Sequence, residues 1–430
     1  MTAGSSRPGR RARPRTAGVE PSEVWEQTEA GTWDGGDARR ILVVRALRGF
    51  VDGLVSVLLA GYLTRLGFTP LQVGAIVTGT LLGSAALTIA LGLAGHRLSR
   101  RRVLLGAAGL MLATGLGFTG FTTFWPLLVV AVLGTLNPSA GDVSVFVPTE
   151  QAALAQIVSG QHRTRLFASY NVGGNFMGAL GALASGVPML VARAYDVEVV
   201  LAERCGFLLY AFAALVCGIL YLGLGPAVEA RHAARSGPLG RSRRVVVRLA
   251  TLFSLDAFGG GFAVQSLLVL WLYQRFHLSV ETAGAVFFAA GLLGGLSQLV
   301  SPILAARIGL VPTMVYTHLP ANALLIAAGL VPSASLAVTC LLLRAALSQM
   351  DVPARQAYVM AVVPPEARAA AASVTNVPRS LASALPPLFV GAMLSYSTIG
   401  WPLVCGGLLK GLYDVLLLIQ FRNVPGLEAE

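Results

Sequence analysis

Six acidic residues interrupt long apolar stretches of this chain: Asp52, Asp142, Glu150, Asp256, Asp351 and Asp414. A carboxylate at the middle of a bilayer costs about 2.5 kcal/mol or more, so each calls for a partner or a task. Basic residues accompany several of them. Arg45, Arg48 and Asp52 share one helical face, and Arg48 reaches Asp52 at i+4. That trio reads either as an ion pair that makes insertion tolerable or as a proton or substrate site. Asp351 and Arg355 are also spaced i, i+4, with Arg344 near the same face. Again the choice is between a local pair and a site. Asp256 has no basic residue within four positions and precedes Gly259-Gly260-Gly261. It is either an unpartnered proton carrier or a carboxylate paired with another helix. Lys410 and Asp414, at i, i+4, read as a structural pair.

Other chemistries lack their residues. A phosphate-binding P-loop needs Lys followed by Ser or Thr, and Lys410, the only lysine, precedes Gly411. The five histidines form no H-E-x-x-H, and G-x-S-x-G does not occur. Cys205, Cys217, Cys340 and Cys405 stand apart within or at the edges of apolar runs, which fits neither a metal site nor a disulfide framework. The chain is expected to be no enzyme and to need no cofactor or metal.

Composition defines the elements that must carry these charges. Apolar residues make up 55% of 430 residues, charged residues only 12%, and mean hydropathy is +0.70. A soluble domain carries roughly 25% charged residues, so a globule this size could not cover its surface. Apolar stretches able to cross about 30 Å of hydrocarbon recur throughout. They run over 42–62, 73–95, 103–121, 126–157, 166–190 and 205–225, then over 246–273, 282–305, 311–331, 335–361, 367–395 and 399–421. The expectation is an all-α membrane protein of twelve helices in two bundles of six. Its parts are a disordered tail (1–40), a first bundle (41–225), a linker (226–245), a second bundle (246–421) and a short tail (422–430).

The formal charge is +12. The excess lies in short segments on one side: the first tail, residues 97–102, the linker, Arg307 and Arg422. By the positive-inside tendency both termini are cytoplasmic. The basic tail reads as a solvated segment near anionic lipid, not as a nucleic-acid arm.

The halves repeat. Arg275 follows Arg65 by 210 positions, and Arg307 follows Arg97 by the same interval. Gln356, Arg368 and Asn376 follow Gln151, Arg163 and Asn171 by 205. Ordered matches of this kind indicate a duplicated six-helix unit. The change of interval leaves extra residues behind Asn137-Pro138, which predicts a broken or bulged fourth helix.

The segment Gly92-Leu-Ala-Gly-His96-Arg97-Leu-Ser-Arg100-Arg101 resembles the loop signature G-x-x-x-D-R-x-G-R-R of the major facilitator superfamily. His96 replaces the acid, and Arg307 marks a weaker second copy. The resemblance spans about residues 41–421. It implies two bundles flanking a central cavity, lined mainly by helices 1, 4, 7 and 10, and transport by alternating access. Asp52, Arg48, Asp142, Asp256, Asp351 and Arg344 then become candidates for proton coupling or substrate binding. Gly174, Gly178 and Gly181 partly match the antiporter signature of helix 5, which favours efflux, although the same glycines permit close helix packing in any bundle. Glu150 and Arg355 occupy corresponding repeat positions and could pair as a gate; the alternative is that Arg355 bonds Asp351 on its own helix.

The expectation that results is a monomeric secondary transporter of the plasma membrane. It would move a small solute across the lipid bilayer with protons as coupling ion, most simply outward. The same fold also serves proton-coupled import and facilitated transport. A membrane-embedded enzyme or lipid scramblase would need a catalytic constellation or a lipid-facing polar groove, and neither is visible.

Overall fold

The computed structural model describes residues 35–94, 98–139, 144–157, 161–229, 243–363 and 368–421. Among these residues there are helices, turns and no strand. The first half holds α1 (Gly35–Arg65), α2 (Pro70–Ala94), α3 (Arg100–Gly120), α4 (Phe124–Leu133), α5 (Phe146–Ile157), α6 (Gln161–Ala184), α7 (Val187–Tyr195) and α8 (Val199–Leu222). The second holds α9 (Arg243–Gly261), α10 (Gln265–Phe276), α11 (Val280–Ile308), α12 (Leu310–Leu330), α13 (Ala334–Ser348), α14 (Asp351–Ala361), α15 (Arg368–Ala384), α16 (Pro386–Tyr396) and α17 (Trp401–Phe421).

Each expected span coincides with one helix or with two in succession. Ten such units among the described residues are long and apolar enough to cross a membrane. The first and fourth spans fall outside that set. α1 carries Arg45, Arg48 and Asp52 in its interior, and the fourth is divided into α4 and α5. The division is the expected break. α4 stops at Gly134, and Asn137 accepts hydrogen bonds from the backbone and hydroxyl of Ser139. Such local bonds compete with helix continuation. Four other spans are broken where no break was expected, between α6 and α7, α9 and α10, α13 and α14, and α15 and α16. Pro188, and Pro386 with Pro387, sit in the first turns of α7 and α16, where a missing N–H costs nothing.

Helix starts follow local rules. Thr69 and Gln72 form a reciprocal capping pair at α2, with Gln72 Oε1 accepting from Thr69 N at 2.9 Å. Ser99 and Ser279 cap α3 and α11 through their hydroxyls. α1 begins earlier than expected, so residues 35–40 are helix rather than tail. The cause is Asp37, which is fully buried. It accepts from Gly225 N and Arg40 Nη1, both at 2.9 Å, and ties the start of α1 to the end of α8.

α1 and α6 pack with backbones nearly touching. A Cβ on Gly53 would lie 1.9 Å from the Gly178 carbonyl oxygen, and one on Gly49 would lie 2.5 Å from that of Gly174. The glycines noted in α6 therefore have a packing role. The halves meet through α2 against α16 and α11 against α6. Their close points are Gly74 with Pro387 and Gly391, Gly284 with Ala182 and Ser185, and Arg193 with Glu281 at 3.2 Å. All belong to the end of the bundle opposite the linker.

Candidate functional site

The charges gather into two networks, one in each half. In the first, Arg48 of α1 crosses to Glu150 of α5, Nη2 to Oε2, at 2.6 Å. Its other terminal nitrogen donates to Ser144 Oγ at 3.2 Å, and its guanidinium lies 4.1 Å from the centre of the Phe146 ring. Tyr170 of α6 and Tyr221 of α8 donate their hydroxyls to Glu150, one to each carboxylate oxygen. Arg48 is 1% exposed and Glu150 0%. Both charges are thus enclosed and paired, with Arg48 Nε buried and left without a hydrogen-bond partner among the described residues.

The expected i, i+4 pair between Arg48 and Asp52 is not formed. Glu150 competes better because it is wholly enclosed and already fixed by two phenols. Asp52 lies beside Arg45 and Arg48, and Asn137 is its side-chain hydrogen-bond partner. Asp142 lies outside the described residues.

The second network centres on Asp256 of α9. One carboxylate oxygen accepts from Lys410 Nζ of α17, the other from Arg355 Nη1 of α14 at 3.2 Å. The same Arg355 nitrogen reaches Asp351 at 3.0 Å. Asp256 is therefore not the unpartnered acid of the first alternative. Its partners lie 99 and 154 positions away. Gly259 explains the reach of Lys410, since a Cβ there would meet the lysine Cγ at 2.7 Å. Lys410 consequently does not pair with Asp414. Asp414 instead contacts His318 Nδ1 at 2.9 Å and accepts from Asn322 Nδ2 at 2.8 Å, both on α12. Arg344 of α13 is half-buried, acts on Asp256 at longer range, and has no hydrogen-bond acceptor for its buried Nε among the described residues.

Glu150 and Arg355 are not brought together. Arg355 holds Asp351 and Asp256 in its own half, as the alternative reading had it for Asp351, and Glu150 is closed within the other. His318, Asn322, Tyr170 and Tyr221 were absent from the sequence-based candidates. His318 carried a usable signal: it is a histidine inside an apolar span.

In the loop motif, His96 and Arg97 lie outside the described residues. Gly92 has open space around its Cα, and Arg307 is exposed. Arg100 and Arg101 are fastened to the linker. Their backbone N–H groups donate to Glu229 at 2.9 and 3.3 Å, and Arg100 Nη1 donates to Val228 O at 3.0 Å. A carboxylate does serve this loop, but Glu229 supplies it from the linker, at the positive end of α3.

Comparison with known proteins agrees with this architecture. Residues 41–387 match the family described as Major Facilitator Superfamily. An uncharacterized membrane protein of Saccharomyces cerevisiae is 26% identical over 416 residues, covering 88% of this chain and 92% of its own length. Among solved structures, a D-xylose-proton symporter superposes with a TM-score of 0.73 at 15% identity, over 90% of this chain and 98% of the other. A bacterial homolog of the human lysosomal transporter Spinster, in an inward-facing and unoccupied conformation, gives 0.71 at 14%, over 91% and 98%. These likenesses establish the fold, and the match over most of the chain establishes the lineage. With its multi-pass helical architecture and duplicated halves, the chain belongs to the Major Facilitator Superfamily.

Proposed function

We propose that the protein is a proton-coupled secondary transporter that moves a small solute out of the cell across the plasma membrane. It acts by alternating access, as a monomer with both termini in the cytoplasm. The observation that carries this reading is the Asp256 network. Three acids and two permanent cations are held by contacts among four helices, α9, α12, α14 and α17. A network with several competing partners can exchange one for another when a proton or solute arrives, and so favour one of two states. The paired charges lie where burial makes such exchanges energetically large. Arg344 offers a cation at its margin for contact with solute. Outward direction rests on the Gly174, Gly178 and Gly181 series, and cytoplasmic termini rest on the arginine distribution.

Inside-out membrane vesicles energised to an acid interior test the proposal. A transported solute added outside should release protons from the wild-type vesicles, and Asp256→Asn vesicles should give no release. Solute accumulation driven by inward proton flow in right-side-out vesicles would replace efflux with import. Solute movement indifferent to the proton gradient would remove the coupling.

A further inference from the structure

His318 on α12 and Asp414 on α17 lie outside the four helices that the family resemblance assigns to the cavity, yet they are wired to it. Both are buried, at 2% and 0% exposure. The imidazole faces an acid at each nitrogen. Nδ1 lies 2.9 Å from Asp414 Oδ1, and Nε2 lies 4.0 Å from Asp256 Oδ1. Asn322 occupies the second oxygen of Asp414, so the imidazole is the one ion-pair partner of Asp414 among the described residues. The Tyr413 ring meets the imidazole edge-on, with centroids 6.2 Å apart. Tyr413 Oη and Asn322 Oδ1 are buried beside it with no hydrogen-bond partner among the described residues.

Charge bookkeeping singles out the histidine. Asp256, Asp351 and Asp414 bring three negative charges to the bonded network, and Lys410 and Arg355 bring two positive ones. Arg344 from α13 and Arg379 from α15 also act electrostatically on Asp256. Among the ion pairs of the described residues Asp414 has no permanent cation, and His318, its one ion-pair partner there, supplies that charge by taking up a proton.

We infer that His318 is a proton-holding residue, with one proton carried at Nε2 between Asp414 and Asp256. The inference rests on the proton-coupled reading above and gives it a location. When Lys410 or Arg355 leaves Asp256, Nε2 approaches that carboxylate. The N–H bond breaks, an O–H bond forms at Asp256 Oδ1, and the ring returns to its neutral form with Nδ1–H still donated to Asp414. The charge lost by the imidazolium and the charge lost by the carboxylate balance. Asp414 is a positioning residue in this scheme: it fixes the tautomer and the aim of the ring.

Nitrogen NMR of the full chain, labelled at its histidines and held in lipid nanodiscs, tests this. The chain has five histidines, and His318→Gln identifies the signal of interest. Tyr413→Phe, which alters only the ring packed on His318, gives a second assignment if the first variant folds poorly. As pH is raised the His318 ring should lose its Nε2 proton alone, with Nδ1 protonated throughout. Asp414→Asn should lower the doubly protonated fraction at a given pH about ten-fold. A ring that stays neutral at every pH, or one that titrates identically in Asp414→Asn, overturns the assignment. The wild-type titration decides the matter if Asp414→Asn does not fold. Solute-driven proton release, measured separately in vesicles, keeps the two proposals apart. A titrating His318 without proton release removes coupled transport and leaves the proton site. Proton release with a non-titrating His318 removes only the site.

Discussion

The two halves handle buried charge in opposite ways. In the first half, Glu150 has Arg48 as its one ion-pair partner among the described residues, and each of its oxygens is closed off by a phenol. In the second, Asp256 is shared by Lys410 and Arg355, with His318 close by, and Arg355 is itself divided between two acids. The first arrangement ties its acid to one cation, whereas the second divides an acid and a cation among several partners. A rocking transporter needs both kinds: a clamp that keeps a bundle intact as it moves, and a network whose partners change with the occupant.

The comparison breaks first at the clamp. Arg48→Met leaves Glu150 buried without its cation. Thermal unfolding in detergent should register a loss of about 3–5 kcal/mol, the usual result of orphaning a buried charge. Arg48→Met with Glu150→Met should recover much of that loss, because no charge then remains to be paired. If the single variant melts like the wild type, the clamp is not a clamp.

Next comes Asp256→Asn. Arg355 keeps Asp351, but Lys410 is left buried without its carboxylate, so the stability loss should again be about 3–5 kcal/mol. Proton movement should also vanish. A third test uses charge reversal across the halves. Glu150→Arg and Arg355→Glu should each impair transport, and the double variant should show losses that simply add. Marked recovery in the double variant would mean that the two residues meet in another state, as a gate would require. The smallest effect should come from Glu229→Gln, which weakens the cap on α3 while leaving a hydrogen-bond acceptor. About 0.5–1 kcal/mol of stability should go, with transport unchanged.

Much of the fold was legible because hydropathy and spacing report on it directly. The span limits, the duplicated halves and the break behind Asn137-Pro138 follow from runs of apolar residues and from intervals between matched ones. The breaks near Gln349 and Leu385 were missed although the sequence marks them, with Ser348, Gln349 and Asp351 at the first and Pro386 and Pro387 at the second. Partner choice was the least legible layer. Helical spacing offered Asp52 to Arg48 and Asp414 to Lys410, since only neighbours on one helix can be ranked by spacing. The actual partners lie 102 and 154 positions away, brought close by helix packing. Gly259 hinted at this in retrospect, because the space it leaves is filled by the lysine stem. The start of α1 was misplaced for a similar reason: Asp37 is polar, and its burial depends on Gly225, at the far end of the first half.

The central claim is the division of labour between clamp and network. It is tested most directly by measuring melting temperature and solute-driven proton release on the same reconstituted preparations of Glu150→Gln and Asp256→Asn. The account predicts that Glu150→Gln loses the larger part of its thermal stability while its folded fraction still couples solute to protons. Asp256→Asn, which leaves Lys410 without its carboxylate, should also lose stability and should release no protons. Proton release surviving in Asp256→Asn, or abolished in folded Glu150→Gln, would contradict it.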